Sequence, residues 1–407
     1  MVYDESLWHI IVAGKLYAPE EITGPVAVVF QGKTIREIWR NTDDGAAQRR
    51  FAEYMPDTSV EVSDIGLWSL APGYIDLHIH GFHGYDVTTG SQEDIEAMAR
   101  ELPQTGVTSF FPTIATLDRE ETMQQVQRIA DVADEMRDVP VAEILGMRLE
   151  GPFISRAKKG AQYEQGIRPP DSAELERLAV AGRGCIRLLN FAPEEDEDGS
   201  FLATLVRLGI LPCIGHTAAT YEQTITAIDG GARHSTHLFN AMSSLEQRSP
   251  GVVGALLTDS RVTVEMIADG IHLHPAVTKL AIAARGTHDI ALITDAISPA
   301  GLPEGMYDFV GRKVTVCCGA VHMSNGTLAG SILTLDQAVR NIVEFTGISW
   351  AEAISMASQV PARIAGCSQR KGCIAPGMDA DVIALDEHGV VQRTWIHGSL
   401  VYDGASL

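Results

Sequence analysis

The 407-residue sequence is poor in aromatics, at 6%, and poor in basic residues, with 31 Lys and Arg against 53 Asp and Glu. Few aromatic rings leave Ala, Val, Ile and Leu to fill the core, while a 45% apolar content still suits a well-buried globular chain rather than a disordered one. The formal charge of −22 repels phosphate backbones and anionic lipid headgroups, so nucleic-acid and membrane partners are disfavoured. No apolar run approaches the roughly 20 residues of a membrane span. The first twenty residues lack the basic flank and apolar stretch of a secretory leader. Only six cysteines occur, at 185, 213, 317, 318, 367 and 373, without a C-x-x-C pair. Scattered thiols of this kind point to a reduced, cytoplasmic protein. Adjacent Cys317 and Cys318 are expected on opposite faces of a strand.

Internal repeats and low-complexity tracts are also missing. Residues 8–38 read as short strands broken by Gly and Pro, and residues 41–60 as a polar, irregular surface excursion. From Trp68 to about residue 366, apolar strand-like runs alternate with Ala- and Glu-rich helical stretches. That alternation predicts a parallel sheet with crossover helices, and its length fits one (β/α)₈ TIM-like barrel. Short strands return after Gly372. The expected organisation is a barrel over 71–371 and a small β-sandwich domain built from segments 1–70 and 372–407.

Several barrel runs end in a residue able to bind a metal or move a proton. In Tyr74-Ile75-Asp76-Leu77-His78-Ile79-His80, strand alternation puts Asp76, His78 and His80 on one face and the apolar residues on the other. Met147-Arg148-Leu149-Glu150 ends in a carboxylate, and Pro212-Cys213-Ile214-Gly215-His216 in an imidazole. Further ends fall at His237, at Asp269-Gly270-Ile271-His272 and at Asp295. Taken singly, a strand-end histidine is a satisfied structural residue more often than a ligand, and His83, His234, His274, His288, His322, His388 and His397 keep that reading. Six such ends on successive strands are hard to explain by packing, because a barrel gathers its strand C-termini at one face. The mixture of imidazole and carboxylate donors suits Zn²⁺ or Fe²⁺.

These stretches carry a resemblance. Pro72-Gly73-Tyr74-Ile75-Asp76-Leu77-His78-Ile79-His80-Gly81 is similar to the metal-binding opening of the amidohydrolase superfamily. Leu149-Glu150-Gly151-Pro152-Phe153, Gly215-His216-Thr217, Thr236-His237-Leu238-Phe239-Asn240-Ala241-Met242 and Thr294-Asp295-Ala296 narrow it to the N-acetylglucosamine-6-phosphate deacetylase family. The resemblance covers almost the whole chain. It implies a divalent cofactor, Zn²⁺ first and Fe²⁺ second, held by Glu150, His216 and His237, with His78 and His80 as places for a second ion. It implies Asp295 as general base and then general acid. It implies substrate contacts at Ala161, Asn240, Ala241, His272 and Leu328. It further implies a homodimer in which Arg248 reaches the neighbouring subunit's site to hold the phosphate of an amino-sugar substrate.

An amide needs this machinery, since its carbonyl is a poor electrophile and its amine a poor leaving group. A bland reading of Asp295 as a helix N-cap is weakened by the Pro and Gly that follow; the bland reading of Arg248 is a solvated loop residue. One departure is Gln162, where members using a single metal often carry a His that polarises the substrate carbonyl. Competing expectations are the N-acetylgalactosamine epimer as substrate, another amide hydrolase of the superfamily, and a non-catalytic scaffold. The second usually places a carboxylated Lys between its metals, where this chain has Glu150, and the third typically loses the ligands retained here.

Overall fold

The computed structural model describes residues 6–18 and 20–404; the parts of the predicted terminal segments at 1–5, 19 and 405–407 lie outside the described residues. Eight parallel strands form the barrel: β1 (Tyr74–Ile79), β2 (Val107–Ala115), β3 (Met147–Glu150), β4 (Ile186–Phe191), β5 (Leu211–Ile214), β6 (His234–Ser235), β7 (Thr263–Ile267) and β8 (Ile290–Ile293). Neighbours pair in that order, and the ring nearly closes where β8 returns to β1. There Asp295 donates its N–H to the His78 carbonyl at 2.9 Å, and Thr294 Oγ1 donates to Asp76 at 2.6 Å. Every residue of β1 and β2 is buried, because one face meets helices and the other fills the barrel.

The outer helices follow from apolar spacing and capping. Arg119–Glu135 buries Val126, Ile129 and Ala130 on one stripe, and Asp118 caps it by accepting from the Glu121 N–H at 2.9 Å. Inside, the barrel departs from a purely apolar fill. Arg148 is completely buried and donates to Glu265, to Asn190 at 3.0 Å and to Thr236 at 2.8 Å. A buried charge survives only when paired and hydrogen-bonded, and here both conditions hold.

The two chain segments outside the barrel share one sheet. Its strands run in the order Ser399–Asp403, Val391–Ile396, Val382–Leu385, Ser69–Pro72, Trp8–Tyr17, Glu21–Gln31 and Thr34–Arg40, with Val60–Asp64 alongside the start of Trp8–Tyr17. Segments far apart in sequence meet where Val382–Leu385 lies antiparallel to Ser69–Pro72.

Two local expectations are corrected. Residues 41–60 are not an irregular excursion: Asp44–Tyr54 is a helix, capped by Asp43, that presses Ala47 and Phe51 onto the sheet. Phe51 meets the ring of Trp8 at 5.4 Å. Only those two positions of the helix are buried, so its sequence looks polar. The βα alternation is also interrupted after β8 by an antiparallel three-stranded sheet, Gly305–Phe309, Arg312–Cys317 and Ala320–Met323. Its period-two pattern, Val314 and Val316 buried between exposed Lys313, Thr315 and Cys317, marks a half-covered sheet. Among the described residues no helix is long and apolar enough to cross a membrane.

Candidate metal centre and active site

At the C-terminal mouth of the barrel, six of the residues singled out in the sequence come together. Glu150 stands at the centre. Its Oε1 lies 3.0 Å from His237 Nε2, 3.1 Å from His216 Nε2 and 3.3 Å from His78 Nε2, while Oε2 lies 3.0 Å from His80 Nε2. Asp295 Oδ1 faces His78 and His80 at 3.3 and 3.4 Å. Two overlapping donor groups result, Glu150 with His216 and His237, and Glu150 with His78, His80 and Asp295.

The opposite ring nitrogens fix what this cluster offers. His80 Nδ1 lies 3.0 Å from the Thr113 carbonyl, and His216 Nδ1 lies 2.9 Å from the Lys158 carbonyl. A carbonyl only accepts, so each Nδ1 carries the hydrogen and each Nε2 presents a lone pair to the centre. His78 is set the same way by Glu265, whose Oε2 is 3.3 Å from its Nδ1. Lone pairs of His78 and His80 then meet 3.2 Å apart, and Nε2 atoms of His216 and His237 meet at 3.1 Å, beside a buried carboxylate. Such an arrangement is stable around positive charge. The donor set therefore fits divalent cations of the borderline class, on either side of Glu150.

Titration behaviour gives the same sign. Burial would lower His80, but the carboxylates of Asp295 and Glu150 reverse that and push it up to about 10, so its Nε2 draws a proton wherever no cation takes the lone pair. Burial would raise Glu150, yet His78, His216 and His237 hold it well below the usual carboxylate range. Asp295 is lowered as well, because His78 and His80 outweigh its burial.

Backbone geometry aims these side chains. His216, His237 and Asp295 all adopt positive φ, at 49°, 22° and 49°, where the chain turns sharply out of a strand. Non-glycine residues in this region cost energy and persist where the surroundings demand them. Beside His216, a Cβ on Gly215 would come within 2.5 Å of the Thr236 side chain, so only glycine lets β5 and β6 approach here.

A cavity of about 360 Å³ opens onto the cluster and is lined by His80, Glu150, His216, His237 and Asp295. Ala161, Asn240, Ala241, His272 and Leu328, all marked in the sequence, line it too. His272 is anchored through Nδ1 to Asp269 at 2.6 Å; burial opposes its protonation, but Asp269 raises its pKa overall. Arg248 is elsewhere: it sits on the exposed Glu246–Ser249 turn, outside the lining of this cavity. His234 is buried against Glu265 in the barrel interior.

Several contributors escaped the sequence reading. Glu265 orients His78, receives the His237 N–H at 3.2 Å and holds Arg148 and His234. Its signal was a charge inside the apolar run Val262 to Ala268. Gln162, marked in the sequence only as a departure, donates to Glu150 Oε2 at 2.6 Å and accepts the Thr116 N–H at 2.7 Å, so it fixes the carboxylate. Phe309 of the antiparallel sheet closes one wall, its ring 6.1 Å from that of His80, and Arg312 donates to the Ala161 carbonyl.

The chain belongs to the amidohydrolase family, whose model matches residues 69–401. Within that family it is similar to N-acetylglucosamine-6-phosphate deacetylase of Bacillus subtilis, 35% identical over 383 residues, which span 93% of this chain and 96% of the relative. It is also similar to N-acetylgalactosamine-6-phosphate deacetylase of Escherichia coli O157:H7, 40% identical over 341 residues, or 84% of this chain and 90% of that one. The solved structure of the Mycobacterium smegmatis N-acetyl-D-glucosamine-6-phosphate deacetylase superposes with a TM-score of 0.88 at 29% identity, covering 97% of this chain and 100% of that chain.

Proposed function

We propose that this chain is a metal-dependent hydrolase that removes the acetyl group from N-acetylglucosamine 6-phosphate, leaving glucosamine 6-phosphate and acetate. The observation that carries the reading is the convergence of four inward-facing imidazoles on Glu150 with Asp295 beside them. Glu150, His216 and His237 would hold one cation, and His78 and His80, with Glu150 shared, a second. Zn²⁺ suits these donors best and Fe²⁺ next. A bound divalent cation supplies polarisation of the amide carbonyl and acidification of water.

The chain's own residues do the rest. Asp295, ionised and facing the cluster, takes a proton from the attacking water and returns it to the departing nitrogen. Gln162 keeps Glu150 from rotating. Phe309 and Leu328 exclude bulk water from one side of the acetamide, and Ala161, Asn240 and Ala241 position the sugar. His272, favoured in its charged form by Asp269, contributes to holding the phosphate, and Lys158 adds positive charge at the cavity wall. This local reversal of potential is what an acidic protein needs to admit an anion. Arg248, exposed and away from its own cavity, suits a homodimer in which it completes the partner's phosphate site. The same reading divides the chain into a barrel over 71–371 and a terminal β domain from 1–70 and 372–407, and places the enzyme in the cytoplasm.

A second reading, the N-acetylgalactosamine epimer as substrate, is favoured by the 40% identical relative. Acetate release from the two epimeric phosphosugars, and from the unphosphorylated sugars, tests both. Equal rates with and without the phosphate would sink the phosphosugar assignment.

A further inference from the structure

The antiparallel sheet beside the cavity carries a second donor cluster, of different chemistry. Cys317 and Cys318 were expected on opposite faces of a strand; instead their Sγ atoms lie 3.1 Å apart. The reason is local. Arg312–Cys317 ends at Cys317, and Cys318 enters the turn at φ 56°, which swings its side chain back to the same side. A left-handed backbone crowds a residue that carries a Cβ, so this pairing is held against the backbone's own preference. Glu304 stands beside it, accepting the Cys318 N–H at 2.6 Å. One donor atom from each of the three lies within 4.8 Å of the others, and all three side chains are exposed, so water can complete a coordination shell.

We propose that Cys317, Cys318 and Glu304 form a binding site for a thiophilic divalent cation, separate from the barrel centre. Two sulfurs and one carboxylate oxygen match borderline and soft ions of the Zn²⁺ and Cd²⁺ class, and poorly match Mg²⁺ or Ca²⁺, which take oxygen ligands. Binding releases one proton from each thiol to solvent, two thiolates join the cation, and no oxidation state changes. The position links the site to the cavity. A Cβ added at Gly319 would lie 3.7 Å from the Ile271 side chain, next to His272, and the same sheet presents Phe309 to His80. An ion here ties the turn to Glu304 and stiffens that wall.

Sulfur sets this site apart experimentally, since the barrel centre offers only nitrogen and oxygen donors. The full-length, reduced protein is titrated with Cd²⁺ while the ultraviolet thiolate-to-metal charge-transfer band is followed. The native chain should develop the band and reach saturation. Cys317→Ser/Cys318→Ser should lose it while keeping the native melting midpoint, which shows that the variant is folded. Glu304→Gln should keep the band with affinity reduced about tenfold. A band that survives in the double serine variant, or none in the native chain, overturns the proposal.

Discussion

Glu265 Oε2 lies 3.3 Å from Nδ1 of His78 at the fully buried centre of the barrel. Glu265 also accepts the His237 N–H, so one carboxylate orients residues from both halves of the candidate metal centre. Residues behind metal ligands typically govern affinity by about 10- to 100-fold. Glu265→Gln should therefore weaken metal retention by that factor in a chelator competition. It should also cost about 3–5 kcal/mol of stability, because Arg148 is left with an uncompensated buried charge. Unchanged retention would remove Glu265 from its positioning role.

Asp295→Asn keeps shape and removes the proposed base. Turnover should fall by about 10²-fold or more, with the metal that Glu150, His216 and His237 would hold retained. Steady-state kinetics and metal analysis on one sample separate the two effects; near-native turnover would dismiss Asp295 as the proton carrier.

His78→Gln addresses the second cation. If both sides of Glu150 fill, metal content should drop by about one ion per chain. An identical count in native and variant protein would mean that the His78–His80 side stays empty.

Arg248→Ala should raise KM for the phosphosugar by about ten- to a hundredfold with little change in kcat, the pattern of lost ground-state binding by a charged hydrogen-bond donor. Mixing this variant with Asp295→Asn subunits tests whether the arginine acts across a dimer. Recovery of low-KM activity in the mixture is expected, and its absence would place Arg248 outside the site.

Acid sensitivity should trace in part to Glu143. Burial would raise its pKa, but His397, Arg370 and Lys371 hold it far below the ordinary glutamate range. A depressed folded pKa means stabilisation that is complete above the unfolded value of about 4.3 and is lost as pH falls below it. Urea midpoints should decline from about pH 5 downward, and Glu143→Gln should be less stable at neutrality with a shallower decline. Parallel pH curves for the two proteins would refute the assignment.

The barrel and its metal-capable ends were legible because strand alternation is a strict rule: His78 and His80 had to share a face, and strand C-termini had to converge. What escaped depended on neighbours distant in sequence. Glu265 looks like an interruption of an apolar strand until Arg148, His234 and His78 are placed around it. The Asp44–Tyr54 helix looks irregular because only Ala47 and Phe51 are covered. Cys318 leaves the strand rule through one left-handed residue, which alternation cannot foresee. Arg248 is a loop arginine in sequence and in the single chain alike, since its proposed partner belongs to a second copy.

The sheet in which Val382–Leu385 pairs with Ser69–Pro72 has a consequence for biogenesis. On the ribosome, Ser69–Pro72 and the strands before it emerge first, yet one of their pairing partners is synthesised more than 300 residues later. At about 5–20 residues per second that is a delay of tens of seconds with an open strand edge. Shielding by a chaperone during translation, or lower yields when it is scarce, follows from this order of assembly.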